Sequence, residues 1–318
     1  MQLFSLIRGA METKHRLIAM SMLRIAFGLY MLAFYAMHLF QYEVFWGANG
    51  IVSYATFRDA MITTHDVSLF LLSPSDAVGK MLIFCGIVVT VLYTLGWRTR
   101  LMSVLFYIFT WSVYRRDYYI LNGGDNLLYI LAFYMMFVDA GAYFSLDASR
   151  AKQNMEPKAY SFKNLLHNFG VLAVIIQLCV LYMTSVFFKV QGHMWQDGTA
   201  IYYVLRSNQF NLTPVGRALY HNGVLVALLT YSTLLFQAAW PWLIWNRYAR
   251  PVLALGAVSL HLSIAYFMGL YWFSFVMIAS ECVIFSDSEY VAFSQWLDRV
   301  WLRLRGSAPR YEPQSSAP

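Results

Sequence analysis

Long runs of apolar residues, separated by short polar or glycine-containing stretches, occupy most of the chain. Several runs approach or exceed the roughly 17–25 residues that cross a bilayer as a helix. The pattern predicts an all-α polytopic membrane protein, a bundle of about eight transmembrane helices. The predicted helices are 17–40, 79–96, 101–120, 126–144, 167–189, 222–245, 251–269 and 271–286. Only the short stretch MGLYW divides the last two, so seven or nine spans are alternatives.

The two ends of the chain differ from this apolar pattern. The segment EYVAFSQWLDRVWLRLR mixes aromatic and arginine residues, which predicts a C-terminal amphipathic helix at the membrane interface. The tail GSAPRYEPQSSAP is predicted to be disordered. The first sixteen residues have no long apolar core, so no removable signal peptide is expected. We therefore divide the chain into a cytoplasmic N-terminus (1–16), a membrane domain (17–290) and an amphipathic segment with its tail (291–318).

Composition supports a membrane protein and argues against other classes. The 318 residues are 59% hydrophobic and only 12% charged, with a mean hydropathy of +0.51, whereas soluble domains carry about 25% charged residues. The net charge of +7 comes from basic residues that flank the apolar runs, so no nucleic acid partner is expected. Cys85, Cys179 and Cys282 fall in separate apolar runs, which favours packing over a disulfide framework or a zinc site.

Charge asymmetry predicts which loops share a face of the membrane. With both termini in the cytoplasm, most lysines and arginines fall in cytoplasmic segments, as the positive-inside rule requires. Three polar, glycine-bearing loops then share the extracytoplasmic face: QYEVFWGANGIVSY (41–54), RRDYYILNGGDN (115–126) and KVQGHMWQDG (189–198). The charged groups near these loops are of the kind that is costly inside a membrane, so we expect the functional site on the extracytoplasmic face.

Lys189 ends the apolar run before the third of these loops, and two interpretations are open. A lysine at a helix end commonly reaches the interface with its charged head, which would make Lys189 an anchor. A lysine in apolar surroundings can instead be a functional amine, since only a neutral amine acts as a base. Hydrophobic periodicity alone favours the anchor.

Three other ionisable residues lie in or beside apolar runs. His261 is expected either to pack with a hydrogen-bonded partner or to hold a polar headgroup and share protons. Asp125 follows two glycines and can cap the next helix, and Arg24 requires a carboxylate or carbonyl partner inside the bundle. The tryptophans, Trp240 among them, are predicted mostly to form interfacial belts, although a subset could line the pocket of a planar ligand.

Other chemistries lack their sequence signatures. The seven histidines show no HExxH or comparable ligand spacing, so no protein-bound metal is expected. The stretches GWRTR and NGGD are too short for a phosphate loop, and no GxSxG motif is present.

Four stretches, taken in order, resemble one family. LRIAFGLYMLAFYAMHLF with WGANGIVSY fits its first helix and loop, and NGGDNLLYILAFYMMFVDAGAYFSLD resembles its Asp-Ala, aromatic, Ser-x-Asp motif. FFKVQGHMWQDGTAIYYVL resembles its lysine–tryptophan–glycine loop, and HLSIAYFMGLYWFSFVMIASECVIFSDSEY resembles its histidine span. The ordered set, over about residues 17–290, is similar to the vitamin K-dependent γ-carboxylase-like membrane domain, also called the horizontally transferred transmembrane (HTTM) domain.

The resemblance implies roles for the matching residues. In the animal carboxylase, a lysine of that loop deprotonates reduced vitamin K, and oxygen converts the quinol to a strongly basic alkoxide and finally an epoxide. The alkoxide removes a glutamate γ-proton, and carbon dioxide adds to the carbanion. Lys189 matches the lysine, which moves its interpretation toward a catalytic base, and His261 matches the histidine that opens the later motif. The candidate catalytic residues are Lys189, His261 and Asp125, and the candidates for binding substrate or quinone are Asn122, Trp195, Gly198 and Arg24.

Two departures limit what the resemblance implies. The stretch NGGDN places Gly124 or Asp125 where the carboxylase has an essential histidine. No counterpart of the carboxylase's large luminal C-terminal domain is expected. The resemblance therefore specifies neither the substrate nor carboxylation. A short chain of this kind resembles bacterial members of the family, including the membrane subunit that helps to mature a sporulation-delaying peptide toxin.

The expected function is that of an enzyme in the bacterial cytoplasmic membrane. It would use a reduced quinone, similar to vitamin K or menaquinol, with O2 and, for carboxylation, CO2. Its substrate would be a secreted peptide or protein, and a small maturation protein is a further expected partner. The alternative is a non-enzymatic membrane component of peptide-toxin maturation, export or immunity.

Overall fold

The structure, a computed structural model, describes residues 8–148, 161–207, 209–210 and 213–305. Within these ranges the chain is helical and has no strand, which confirms the predicted all-α class. The main helices are α1 (Leu17–Leu39), α2 (Asp76–Leu95), α3 (Thr99–Arg116), α4 (Gly123–Met135), α5 (Phe162–Val190), α6 (Gly223–Leu243), α7 (Arg250–Met268), α8 (Tyr271–Ser280) and α9 (Asp287–Leu304). The connections contain shorter helices, at Tyr42–Phe45, Tyr54–Thr64, His193–Gln196, Ala200–Arg206 and Pro214–Leu219, and 3-10 turns at Leu69–Leu72, Tyr118–Ile120 and Glu281–Ile284.

Five helices in the described ranges, α1, α2, α5, α6 and α7, are long and apolar enough to cross a bilayer. A helix also occupies each of the other three predicted places, but α4 has 13 residues and α8 has 10, fewer than a full crossing requires. The largest difference concerns the predicted span 126–144. Helix α4 ends at Met135 because Asp139 and Gly141, which disfavour helix, lie in a series of turns after it.

Helix α1 lies at the centre of the bundle. It is the most deeply buried of the five long helices and packs on α2, α4 and α8. Its close approach to α2 depends on Gly28, where a Cβ would collide with the side chain of Thr94. Arg24 is fully buried on α1, and its guanidinium donates to the carbonyl oxygen of Phe144. The partner expected for Arg24 is therefore a backbone carbonyl of the turns after α4.

Helices α5 to α8 build the rest of the bundle. Helix α6 packs on α5 and α7, and α8 packs on α7, α1 and α4, which joins the two parts. Helix α8 continues into the 3-10 turn Glu281–Ile284, which contacts α1, α5 and α7. This turn places Glu281 where several helices meet.

The first turn of α9 is fastened to the bundle. The carboxylate of Asp287 accepts hydrogen bonds from the backbone N–H groups of Leu17 and Ile18, at 3.0 and 2.8 Å. Glu289 forms an ion pair with Arg250 at 2.9 Å. No residue of α9 is buried, and most of its apolar side chains from Val291 onward are exposed. The predicted disordered tail (306–318) and the first seven residues of the predicted N-terminal segment lie outside the described residues.

Candidate functional site

Lys189 lies in the last turn of α5, and its side chain is half-buried. Its amine donates a hydrogen bond to the hydroxyl of Ser185, one turn earlier, and lies 5.4 Å from the centroid of the Trp195 ring. In the part of the chain that the structure describes, no carboxylate forms an ion pair with this amine. Lys189 is thus held by a hydroxyl and an aromatic ring rather than by a counter-ion.

A polar row runs from Lys189 into the interface between α5 and α6. The hydroxyl of Ser185, which accepts from Lys189, donates to Oε1 of Gln237 at 3.4 Å. Gln237 is buried on α6. The row therefore connects the half-buried amine to a buried amide.

A second polar group, which we call the Glu281 cluster, is fully buried and consists of Glu281, Tyr182, Trp240 and His261. The hydroxyl of Tyr182 donates to Oε1 of Glu281 at 2.6 Å and lies 3.2 Å from Nε2 of His261. The indole N–H of Trp240 donates to the other oxygen of Glu281 at 3.1 Å. The four side chains are at most 4% exposed. Helices α5, α6 and α7 and the turn after α8 each contribute one member.

Lys189 and the Glu281 cluster are linked through α5. Tyr182, Ser185 and Lys189 are three and four residues apart, which places them on one face of a helix. Tyr182, two turns before Lys189 on this face, lies beside His261. The structure thus brings Lys189, Trp195 and His261 into one region.

Sequence reasoning missed three members of the cluster. Glu281 could have been identified from the sequence, because it is the only charged residue between residues 271 and 285. An ionisable residue inside a membrane domain marks a candidate functional site. The prediction that Trp240 belongs to an interfacial belt is wrong, since its ring is fully buried and its N–H is bound to Glu281. Nothing in the sequence distinguishes Tyr182 from the other tyrosines, of which the chain has 23 in all.

Asp125 and Asn122 form the capping box at the start of α4. The backbone N–H of Asn122 donates to Oδ2 of Asp125 at 2.8 Å, and the Asn122 side chain accepts from Gly124. Asn122, rather than Asp125, is therefore the N-cap, and Asp125 contributes from the third position of the helix. The buried Asp125 also accepts from the hydroxyls of Tyr30, at 2.6 Å, and Tyr114, at 2.9 Å. Its carboxylate is therefore engaged by groups of α1, α3 and α4.

One aromatic ring contacts both Asp125's helix and His261. The ring of Phe273 on α8 meets the ring of His261 edge-on, with centroids 5.7 Å apart. A Cβ on Gly123 would touch the same ring at 3.4 Å, and a Cβ on Gly124 would lie 2.9 Å from the Phe273 backbone. The capping box and the Glu281 cluster are thus neighbours joined by packing against Phe273.

Gly198 has a structural reason to be glycine. Its φ of +73° lies in the left-handed region, and a Cβ would lie 2.9 Å from the ring of Tyr231. The hydroxyl of Tyr231 donates to the carbonyl of Gln196 at 2.8 Å, which fastens the loop after α5 to α6. Gly198 therefore shapes the loop that carries Trp195.

Arg24 lies away from Lys189. A Cβ on Gly96 would collide with its guanidinium, which places Arg24 beside the turn that ends α2 as well as the turns after α4. The structure thus places Arg24 apart from the other candidate binding residues, among loops at the opposite ends of the helices.

The loops predicted to share a face are partly joined. The buried Arg116, which ends α3, donates to the carbonyl of Val52 at 2.8 Å and to that of Gly47. This ties loop 41–54 to loop 115–126, whereas loop 189–198 packs on Tyr231 of α6. In the described ranges, no group of three or more His, Cys, Asp or Glu side chains could hold a metal ion.

An apolar cavity of about 340 Å³ lies between α6 and α7 and the short helix Ala200–Arg206. Its wall contains Phe236, whose ring meets the ring of Tyr182 edge-on with centroids 6.1 Å apart. Leu260, which also lines it, precedes His261 in the chain. The cavity therefore adjoins the Glu281 cluster.

The apolar helices and their buried polar clusters define an integral membrane protein, and comparison with known sequences gives its family. The profile of the HTTM domain matches residues 14–289, so the chain belongs to the HTTM domain family. The chain is 26% identical over 240 residues to the uncharacterized protein YitO of Bacillus subtilis (strain 168), which covers 72% of this chain and 73% of YitO. It is 25% identical over 130 residues to the sporulation-delaying protein SdpB of the same organism, covering 40% of this chain and 38% of SdpB. No solved structure matches it.

Proposed function

We propose that this HTTM protein is a membrane enzyme that uses a reduced quinone and O2 to modify or mature a secreted peptide on the extracytoplasmic side. The observation that carries the proposal is the setting of Lys189. Its half-buried amine has a hydroxyl and an indole ring as neighbours and, among the described residues, no carboxylate partner. A surface anchor needs none of these neighbours, whereas a base must be held at a defined place.

The residues around Lys189 suit a planar, partly apolar ligand with polar oxygens. The ring of Trp195 offers a flat apolar surface, and the cavity between α6 and α7 offers apolar volume. Within the described part of the chain, Nδ1 of the buried His261 has no hydrogen-bond partner, so a polar group of a ligand can bind there. Lys189, Trp195 and His261 would hold the quinone.

A bound quinol that reacts with O2 to give the quinone epoxide and water supplies a base strong enough to remove a proton from carbon. The protein's part is to take the hydroxyl proton that starts this chemistry. A neutral Lys189 has two N–H bonds and one lone pair. One N–H is used on Ser185, which in turn is held by Gln237. This arrangement fixes the amine while the lone pair is free to accept the proton.

The proposal includes the topology of the chain. Eight membrane passes, both termini in the cytoplasm and α9 in the interface would put Lys189 at the extracytoplasmic end of α5 in a bacterial cytoplasmic membrane. The basic residues at the opposite helix ends support this arrangement, as do the exposed apolar side chains of α9. Helices α4 and α8 would cross with the help of the turns that continue them.

The choice of a secreted peptide as substrate is supported by one relative and by the resemblance rather than by the site. SdpB is a sporulation-delaying protein, and the similarity covers 40% of this chain. We propose that this chain acts on a small secreted precursor, with CO2 as co-substrate if the modification is carboxylation, and with a small maturation protein as partner.

The experiment that tests the proposal is a turnover assay with the purified full chain in lipid nanodiscs. The protein is given a short-chain 1,4-naphthoquinol and O2, and quinone epoxide is measured by chromatography. We expect epoxide with the wild-type chain and none with Lys189→Ala. A wild-type chain that makes no epoxide above a protein-free control contradicts the proposal.

The second candidate is a non-enzymatic role in peptide maturation, export or immunity. It is favoured by the engagement of Asp125, since Gly124 or Asp125 stands where the resemblance would place the carboxylase's essential histidine. Its carboxylate is occupied by the capping box and by the hydroxyls of Tyr30 and Tyr114. Normal biological activity of Lys189→Ala in cells, without epoxide formation by either protein, would support this candidate.

A further inference from the structure

We propose that Glu281 and Tyr182 are positioning residues that fix the tautomer of His261. Nδ1 of His261 then accepts a hydrogen bond from a hydroxyl group of the ligand, and the site favours a reduced quinol over the oxidised quinone. The class of ligand rests on the proposed function, whereas the tautomer follows from the protein alone.

The directions of the hydrogen bonds in the Glu281 cluster follow from what each group can donate. An indole N–H only donates, so the Glu281 oxygen that faces Trp240 accepts. The 2.6 Å separation between the Tyr182 hydroxyl and the other oxygen is typical of an O–H group donating to a carboxylate. The two donors thus satisfy both oxygens of a fully buried carboxylate.

The single hydroxyl hydrogen of Tyr182 then decides the tautomer of His261. The Tyr182 hydroxyl uses its one hydrogen to donate a hydrogen bond to Glu281. Its oxygen can therefore only accept a hydrogen bond from the Nε2 atom of His261, 3.2 Å away. Nε2 must therefore carry the imidazole proton. A neutral imidazole has one N–H and one lone pair, so the lone pair lies on Nδ1. The buried carboxylate acts on His261 through the phenol.

Nδ1 is the atom of His261 that is left for a ligand. The side chain is 1% exposed, and within the described ranges no protein group hydrogen-bonds to Nδ1. An acceptor atom that no protein group occupies can accept a hydrogen bond from a ligand. The neighbours of His261 suit a ligand, because Leu260, the residue before it, and Phe236, whose ring contacts Tyr182, both line the apolar cavity.

An acceptor at this position distinguishes the two redox forms of a quinone. The quinol carries two O–H donors, whereas the quinone has only carbonyl acceptors. Nδ1 accepts a hydrogen bond from a hydroxyl of the quinol. It would face a carbonyl oxygen of the quinone, which leaves two buried acceptors unpaired. Sites built to hydrogen-bond a hydroxyl reject the analogue that lacks its hydrogen. With the opposite tautomer the preference would reverse.

The tautomer is measured without any ligand, by nitrogen NMR of the full chain labelled with 15N-histidine in nanodiscs. The two nitrogens of a neutral imidazole give well-separated signals for the protonated and unprotonated atoms. The His261 signals are assigned by their loss in His261→Asn. We expect His261 to be protonated on Nε2, and protonation on Nδ1 overturns the proposal.

Two substitutions test whether the cluster sets the tautomer. Tyr182→Phe keeps the ring and removes the hydroxyl that accepts from Nε2. Glu281→Gln provides an amide that can donate to Tyr182, which frees the phenol proton for Nε2 and moves the imidazole proton to Nδ1. The matched control is Tyr35→Phe, which removes another buried phenol hydroxyl that, in the part of the chain described, has no hydrogen-bond partner.

We expect the single His261 tautomer to be lost in Tyr182→Phe and reversed in Glu281→Gln, and to be unchanged in Tyr35→Phe. If Glu281→Gln does not fold, Tyr182→Phe decides alone, because it retains the packing of the ring. A His261 signal that is unchanged in Tyr182→Phe overturns the positioning role.

Selectivity is tested by equilibrium binding of 1,4-naphthoquinol, under argon, and of 1,4-naphthoquinone. We expect the wild type to bind the quinol about tenfold more tightly, the effect of one buried hydrogen bond gained rather than lost. Glu281→Gln should lose or reverse this ratio, while Tyr35→Phe keeps it. Equal binding of the two forms by the wild type overturns the selectivity. If the tautomer behaves as expected but the wild type makes no epoxide, the proposed function fails and the positioning role stands.

Discussion

The indole ring of Trp195 lies against the amine of Lys189, with 5.4 Å between Nζ and the ring centroid. A cation over an aromatic face is stabilised by the ring's quadrupole, so this contact holds the side chain when it is charged. The hydroxyl of Ser185 holds the same amine from α5. An arginine at this position would keep the charge and the ring contact, but arginine is not deprotonated in proteins. The substitution therefore separates an anchor from a base.

Lys189→Arg should reduce epoxide formation by about 100-fold or more, the usual loss when a general base is removed. The protein should still insert and purify as the wild type does. The measurement is the initial rate with naphthoquinol and O2. The matched control is Lys80→Arg, since Lys80 is an exposed lysine paired with Glu43 at 2.6 Å. Full activity of Lys189→Arg would mean that Lys189 is only an anchor.

Glu281→Ala should destabilise the fold by about 3 kcal/mol, because it leaves two buried donors, the Tyr182 hydroxyl and the Trp240 N–H, without an acceptor. The free energy of unfolding is measured by titration with SDS in mixed micelles. Glu43→Ala is the control, because its ion pair with Lys80 is exposed and should contribute little. Equal stability of the two variants would show that the Glu281 cluster does not support the fold.

Gly198→Ala should destabilise the loop after α5 by about 2 kcal/mol, because alanine disfavours a φ of +73°. The added Cβ also meets the ring of Tyr231 at 2.9 Å. Limited proteolysis of the 191–199 loop measures the effect. Gly192→Ala is the control, since it is in the same loop and its Cβ would make ordinary contacts at 3.4 Å. Equal cleavage of both variants would contradict the strain argument.

The proposed topology predicts opposite labelling of two single-cysteine variants. In a background without the native cysteines, His193→Cys should react with a membrane-impermeant maleimide in intact spheroplasts. Arg98→Cys, in the connection between α2 and α3, should react only after permeabilisation. Both positions are exposed in the structure. The reverse labelling would place the Lys189 end of α5 in the cytoplasm.

Helix positions were predictable where apolar runs are long. The predicted helix 17–40 corresponds to α1, Leu17–Leu39, and 222–245 corresponds to α6, Gly223–Leu243. The prediction 126–144 ran past Met135, because the apolar residues that continue the run lie in turns that pack on α1 and α2. Hydrophobicity alone does not separate a buried turn from a helix.

The site was predictable only where one residue carries its own signal. Lys189 could be selected because a charge ends an apolar run. Lys189 is linked to His261 by Tyr182, which lies on the same helix and contacts His261. The Tyr182 hydroxyl in turn donates to Glu281, which is more than 90 residues later in the chain. Tyrosine in an apolar helix is compatible with lipid, protein core or interface, so its role became visible only from the packing of α5 against α7 and the turn after α8.

The order in which the Glu281 cluster is completed has a consequence for biosynthesis. Trp240 and Tyr182 leave the ribosome before Glu281, because α5 and α6 precede the turn Glu281–Ile284 in the chain. Until that turn is inserted, the donors on the two earlier helices lack their acceptor, in a solvent that offers no water to replace it. A nascent chain halted before Glu281 therefore lacks the acceptor for the Tyr182 hydroxyl and the Trp240 N–H, and the cluster can be completed only late in synthesis.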